Sequence, residues 1–262
     1  MTARWWTAPG LVGLLLIAVV AATPVTAKPR KPRIPPGADP GGVAVAIVGR
    51  GVDYTRPEIA SRLARDGEGE AIAWDFVDND ARPLAPAEGG DTGAASVIVG
   101  ERSQVRLVIV RVPDGRTEML APALEFAART PARVVLLLPQ VSAAIPLAHL
   151  ADAARRLPGL LLVVPGRLVT DARGPAGDGL LIAAHEVAEA GGVGAPPIPA
   201  PSVDDAAASL SALAARLLSA EPSLSVEALK MRLLAPGAPR GRDMVGPPTV
   251  TPESGEPRRG SR

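Results

Sequence analysis

The chain has 262 residues, with 28 Lys plus Arg against 27 Asp plus Glu, and the resulting formal charge of +1 gives no overall electrostatic reason to expect nucleic acid as its partner. Hydrophobic residues make up 47% of it, but three Trp, two Phe and one Tyr are the whole aromatic complement, so the core must be built from Ala, Val, Leu and Ile, and a disordered or collagen-like chain is excluded over most of the length. The absence of cysteine excludes a disulfide framework, a zinc–thiolate centre, a cysteine nucleophile and a lipid anchor attached through Cys.

The N-terminus carries Arg4, Trp5 and Trp6, then an apolar run from Leu11 to Ala22, then small residues at Val25 and Ala27 ahead of Lys28. This is the pattern of a secretory signal peptide over residues 1–27, which predicts export to the periplasm or beyond. The run is shorter than the ~20 residues that a spanning helix needs. Only if this segment stays uncleaved, as an N-terminal anchor with Trp5 and Trp6 at the interface, does a membrane enter as partner.

Residues 28–39 hold four basic residues and four prolines and read as an extended linker. Residues 240–262, rich in Arg, Pro and Gly without hydrophobic periodicity, read as a disordered tail. Between them, residues 40–239 carry 18 basic and 23 acidic side chains, about −5, and suit one domain.

Within that domain, residues 43–48 form a short, nearly continuous apolar run ending in glycine, as expected of a strand buried on both faces. Residues 105–110, 133–138, 159–164 and 179–183 have the same character, and residues 71–76 suggest a further strand. Helical patterns lie between them at 118–129, where Pro122 confines the start to near Ala121, and at 146–156. This alternation predicts an α/β fold of three layers, a mostly parallel sheet with helices on both faces. Two helices close the domain. Leu210, Leu213, Ala214, Leu217 and Leu218 share a stripe of the first; the second starts at Ser225 as N-cap, with Leu224 and Leu229 spaced as a hydrophobic staple.

Chemistry-bearing residues are sparse. Val48-Gly49-Arg50-Gly51 follows a strand as a dinucleotide loop would, but the third glycine should fall at Tyr54, so the fingerprint fails and no cofactor is expected. Asp75, Asp78, Asn79 and Asp80 could gather oxygens around calcium or form a solvated turn; the turn is the simpler reading, and no metal is assigned. His149 lies in a helix among Leu147, Leu150 and Ala153, and His185 precedes Glu186 at a strand end. Neither position by itself defines a serine, acid and histidine arrangement.

Several segments, in order, resemble the subtilisin-like serine protease family, the subtilases. Val43-Ala-Val-Ala-Ile-Val-Gly49-Arg50-Gly51-Val-Asp53, with Pro57-Glu58-Ile59 after it, resembles the family's strand into Asp-Thr-Gly and a His-Pro-Glu-Leu stretch. Trp74-Asp75-Phe76-Val77-Asp78-Asn79-Asp80 is similar to a family strand and turn, and Gly90-Asp91-Thr92-Gly93-Ala94-Ala95 to the His-Gly-Thr-His-Val-Ala helix start. Residues 105–112 resemble the next strand, and Leu161-Leu-Val-Val-Pro165-Gly166-Arg167 the strand that leads to the oxyanion Asn. Ser202-Val203-Asp204-Asp205-Ala206-Ala207 stands where the family has Gly-Thr-Ser-x-Ala-Ala, and residues 212–234 resemble its next two helices. The resemblance covers about residues 41–236.

What the resemblance implies is loss of a site. In the family an Asp orients a His, the His takes a proton from a Ser, and the Ser attacks a peptide carbonyl while an Asn helps hold the oxyanion. By this alignment the four positions are Gly49, Gly93, Asp204 and Arg167. Glycine cannot relay a proton, and Asp204 has no base to activate it; its available role is that of an N-cap. Arg167 and Asp204, if near one another, would pair and plug the former centre. The expectation is an exported pseudoprotease that binds a peptide or protein through a remnant cleft, with no nucleic acid partner. The competing reading is a hydrolase with a relocated acidic site built from Asp91, Asp204 and Asp205.

Overall fold

A computed structural model describes residues 42–85, 91–100, 104–166, 180–185, 197–198 and 202–234. The described strands are β1 (Ala44–Gly49), β2 (Ala73–Asp75), β3 (Arg106–Arg111), β4 (Ala132–Leu137), β5 (Leu161–Pro165), β6 (Leu180–His185) and β7 (Pro197–Ile198). They pair in parallel in the order β2-β3-β1-β4-β5-β6-β7. The two outer strands, β2 and β7, are three and two residues long. Each strand that the apolar runs predict is present, with ends displaced by a residue or two.

All six residues of β1 are buried, because the strand is central and covered on both faces. Successive side chains alternate between two cores, as the pleat requires. Val45 and Ile47 pack on one face with helices α2 (Thr92–Val99), α6 (Val203–Ala220) and α7 (Val226–Leu234). Ala44, Ala46 and Val48 pack on the other with α3 (Leu120–Ala127) and α5 (Leu147–Arg156). Two four-residue helices, α1 (Pro57–Ala60) and α4 (Pro139–Ser142), follow β1 and β4, each with a proline in its first turn where no amide donor is needed.

Helix α6 is the long central one, and it touches β1, β4, β5, β6 and β7. It can lie so close because Ala206, Ala207, Ala208, Ala214 and Ala215 face inward. Its start corrects one expectation: the N-cap is Ser202, whose Oγ accepts from the Asp205 backbone N–H at 3.1 Å and donates to Asp205 Oδ2 at 2.7 Å. Asp204 lies inside the first turn, where a carboxylate complements the helix dipole without being the cap. Ser225 caps α7 as expected, its Oγ accepting from Ala228 N–H at 3.1 Å.

The acidic turn after β2 is organised by an arginine. Asp75 is fully buried; its Oδ1 accepts from the amides of Val77 (2.7 Å) and Asp78 (3.0 Å), and its Oδ2 from Arg111 Nη1 at 2.9 Å. The same Nη1 reaches Asp78 Oδ2 at 2.8 Å, and Asn79 takes the left-handed conformation (φ 57°) that closes the turn. The guanidinium therefore supplies the positive charge between these carboxylates, and no metal-ligating cluster exists among the described residues.

Removing the guanidinium would leave a buried carboxylate with amide donors but no counter-charge. Arg111→Met should cost about 2 to 4 kcal/mol, somewhat under the range for a wholly buried pair because Arg111 keeps some solvent contact, and adding Asp75→Asn should recover part of that loss. Urea unfolding midpoints of the three variants measure both.

Candidate functional site

The strand order sets the place of the site. From β1 the chain runs outward to β2, returns to β3 beside β1, and then crosses to β4 on the other side of β1. Successive connections diverge beyond the carboxyl ends of β1 and β4, the place at which open parallel sheets form their ligand crevice. Gly49-Arg50-Gly51 leaves β1 there, and Pro139-Gln140 leaves β4.

Asp91 fills the space beside Gly49. It stands at the N-cap position of α2 but makes no side-chain bond to its own helix. Its carboxylate instead turns toward β1: Oδ2 accepts from the Arg50 backbone N–H at 2.5 Å, and Oδ1 from Gln140 Nε2 at 2.8 Å. A Cβ added to Gly49 would overlap Asp91 Oδ2 and come within 3.2 Å of Leu138 Cδ1. Residue 49 is therefore glycine for want of room. Gly51 is fixed for a different reason, since it has φ +98° and a Cβ there would meet the Pro83 carbonyl oxygen at 2.7 Å.

The side chain that faces residue 49 from the start of α2 is thus Asp91, two positions before Gly93. A Cβ built on Gly93 meets nothing within 4 Å, so that glycine looks onto open space rather than toward β1. Among the described residues of this helix start it is position 91, and not the Gly93 of the resemblance, whose side chain reaches residue 49.

A closed circuit of contacts surrounds the carboxylate. Arg50 Nε pairs with Asp114 at 3.0 and 3.1 Å, Gly115 N–H donates to the Gln140 carbonyl at 3.4 Å, and Gln140 then returns to Asp91. The Arg50–Asp114 limb is exposed and contributes little to stability. Asp91 itself is buried, and burial pushes its carboxyl up to about 6, against the lowering influence of the Arg50 amide, the Gln140 amide and the Arg50 guanidinium.

The other candidates are not brought to this point by any described contact. Asp205 is engaged with Ser202 in the helix cap, so Ser202 serves as a cap and not as a nucleophile with a base. His149 is exposed on α5, which packs on the sheet face opposite α2 and α6. His185 ends β6, three strands from β1, which at the usual interstrand spacing is ~14 Å away. Arg167, proposed above as the occupant of the oxyanion place, lies outside the described residues. Gln140 escaped the sequence reading; its signal is a polar side chain directly after Pro139, where an apolar central strand gives way to a helix start.

This arrangement of sheet and helices has a known counterpart. The structure of MycP1 with its N-terminal propeptide removed covers 73% of this chain and 82% of its own, with a TM-score of 0.51 at 20% identity. The chain has the subtilisin-like fold. A thermophilic serine proteinase of Bacillus sp. (strain AK1) is 29% identical over 107 residues, 36% of this chain, and the match spans only a quarter of that relative's length. A cold-adapted subtilisin-like serine proteinase covers 77% of the chain at 16% identity with a TM-score of 0.40, and no family model matches.

Two expectations follow for the site at Gly49 and Asp91. Gly49→Ala should destabilise the domain by about 1 to 3 kcal/mol through overpacking, and Asp91→Ala added to it should cost less than the two changes summed. The second concerns pH. Because the native state holds the Asp91 proton more tightly than the unfolded chain does, its contribution to stability is fully present below about pH 4 and is lost as pH rises to about 6. Between pH 4 and pH 7 the parent should lose on the order of 2 to 3 kcal/mol more than Asp91→Asn, read from urea midpoints.

Proposed function

We propose that the domain is an exported, catalytically inert relative of the subtilisin-like proteases that binds a peptide or protein in the remnant of the substrate cleft. The observation that carries this reading is the filling of the crevice beside Gly49. A triad needs an acid at the end of the first strand and an imidazole facing it from the helix start. Here the strand position has no side chain, and the helix position is a carboxylate whose two oxygens are taken by Arg50 and Gln140. An aspartate there cannot be oriented by another acid and then pass a proton from a serine.

Export rests on the N-terminal sequence, and among the described residues no helix is long and apolar enough to cross a membrane. The loss of the serine and asparagine positions, read at Asp204 and Arg167, belongs to the same proposal. Binding is proposed in the subsites that flank the filled centre, on the parallel sheet that remains, since a cleft can select ligands without chemistry.

The hydrolase reading draws support from the serine proteinase relative and from the raised carboxyl of Asp91, since a carboxylic acid near neutrality can serve as a general acid. It is weakened by Asp205, which is committed to the α6 cap. Incubation of the purified chain with peptide substrates and a serine-directed fluorophosphonate separates the two. We expect neither turnover nor label, and retention of peptides from a displayed library on the immobilised chain. Turnover that disappears in Asp91→Asn or Asp204→Ala would overturn the inert reading, and failure to retain any peptide or protein would overturn the binding one.

A further inference from the structure

The wall of the crevice holds an amide that is matched at only one end. Gln140 Nε2 donates to Asp91 Oδ1 at 2.8 Å, while Gln140 Oε1 is buried and receives no hydrogen bond among the described residues. Buried acceptors are nearly always matched, so the unmatched oxygen calls for an explanation. An ionised carboxylate only accepts hydrogen bonds, whereas a protonated carboxyl also donates one. Because the Arg50 N–H already occupies Oδ2, a proton taken up by Asp91 goes to Oδ1, the oxygen that faces Gln140, and the end of Gln140 that suits this oxygen is NH2 for the carboxylate and the carbonyl oxygen for the acid.

We propose that Asp91 and Gln140 form a proton-operated latch in the wall of the crevice, in which the Gln140 side-chain amide turns over when Asp91 takes up a proton from solvent, so that Oε1 accepts from the carboxyl. Each state has its own hydrogen bond, which makes the pair a two-state element and not a fixed contact. Gln140 also accepts from Gly115 through its backbone, so the latch is joined to the loop that carries Asp114. Its regulatory meaning rests on the reading of the crevice as a binding cleft; the turnover of the amide is a property of the unliganded chain.

The charged groups that act on Asp91 among the described residues are the Arg50 guanidinium, which favours the carboxylate, and Asp114, which opposes it. Helix α4 contributes no charge, since it consists of Pro139, Gln140, Val141 and Ser142. Burial outweighs these influences and places the changeover near pH 6, within reach of ordinary titration.

The test follows the Asp91 carboxyl carbon and the Gln140 side-chain NH2 by NMR in the labelled full chain from pH 4 to 8. Both should move with one midpoint. Gln140→Met removes a partner from both protonation states, so it should shift the Asp91 midpoint by less than about half a pH unit and lower the urea midpoint at pH 4.5 and pH 7.5 alike. A Gln140 that serves the carboxylate alone predicts instead a rise of about one pH unit or more and destabilisation confined to pH 7.5, which would overturn the latch. A Gln140 NH2 resonance that stays still while Asp91 titrates would overturn it too, without any variant. None of these readouts involves a peptide, so failure of the latch and failure of the binding proposal are seen separately.

Discussion

A single buried volume beside the end of β1 governs this site. Whatever side chain occupies it excludes all others, because the backbone of β1, Leu138 and the start of α2 converge there. With the Asp91 carboxylate in this position, any side chain at residue 49 would displace it. The Arg50 amide must also point at the carboxylate, and Gln140 must come across from α4 to complete its coordination. The end of β1 and the start of α2 thus meet through one acid and a residue without a side chain. The residues at 49 and 91 are therefore coupled in physical terms, since a side chain at 49 and the present position of the Asp91 carboxylate compete for one space.

The same logic separates the fold from the chemistry. The sheet is held by apolar strands whose pattern is independent of the crevice, and the small inward residues of α6 pack against it whatever stands at the carboxyl ends. The subtilisin-like architecture is therefore set by residues other than those that would carry chemistry at the carboxyl ends of the strands.

The fold was largely legible in the sequence. Central strands covered on both faces need unbroken apolar runs, and residues 43–48, 105–110, 133–138 and 159–164 are such runs. The cap of α7 was legible because Ser225 stands directly before the periodic stretch, whereas that of α6 was ambiguous: Ser202, Asp204 and Asp205 can all cap, and only the backbone decides. The site was legible in part. Position 49 announces itself by glycine at the end of a strand, but the choice between Asp91 and Gly93 turns on the direction of a helix start, a matter of one turn of backbone that spacing does not encode. Gln140 was hidden for a similar reason, since its partner lies 49 residues away in sequence.

The two outer strands give the sheet a further property. A long flat edge offers a row of unpaired amides and carbonyls on which another chain can build, and parallel sheets with apolar strands are especially exposed to that hazard. Among the described residues the long apolar strands are all interior, and the sheet ends in a three-residue strand and in a two-residue strand that begins with Pro197, which has no amide to offer. The described arrangement thereby keeps the long apolar strands, its most aggregation-prone segments, paired on both sides.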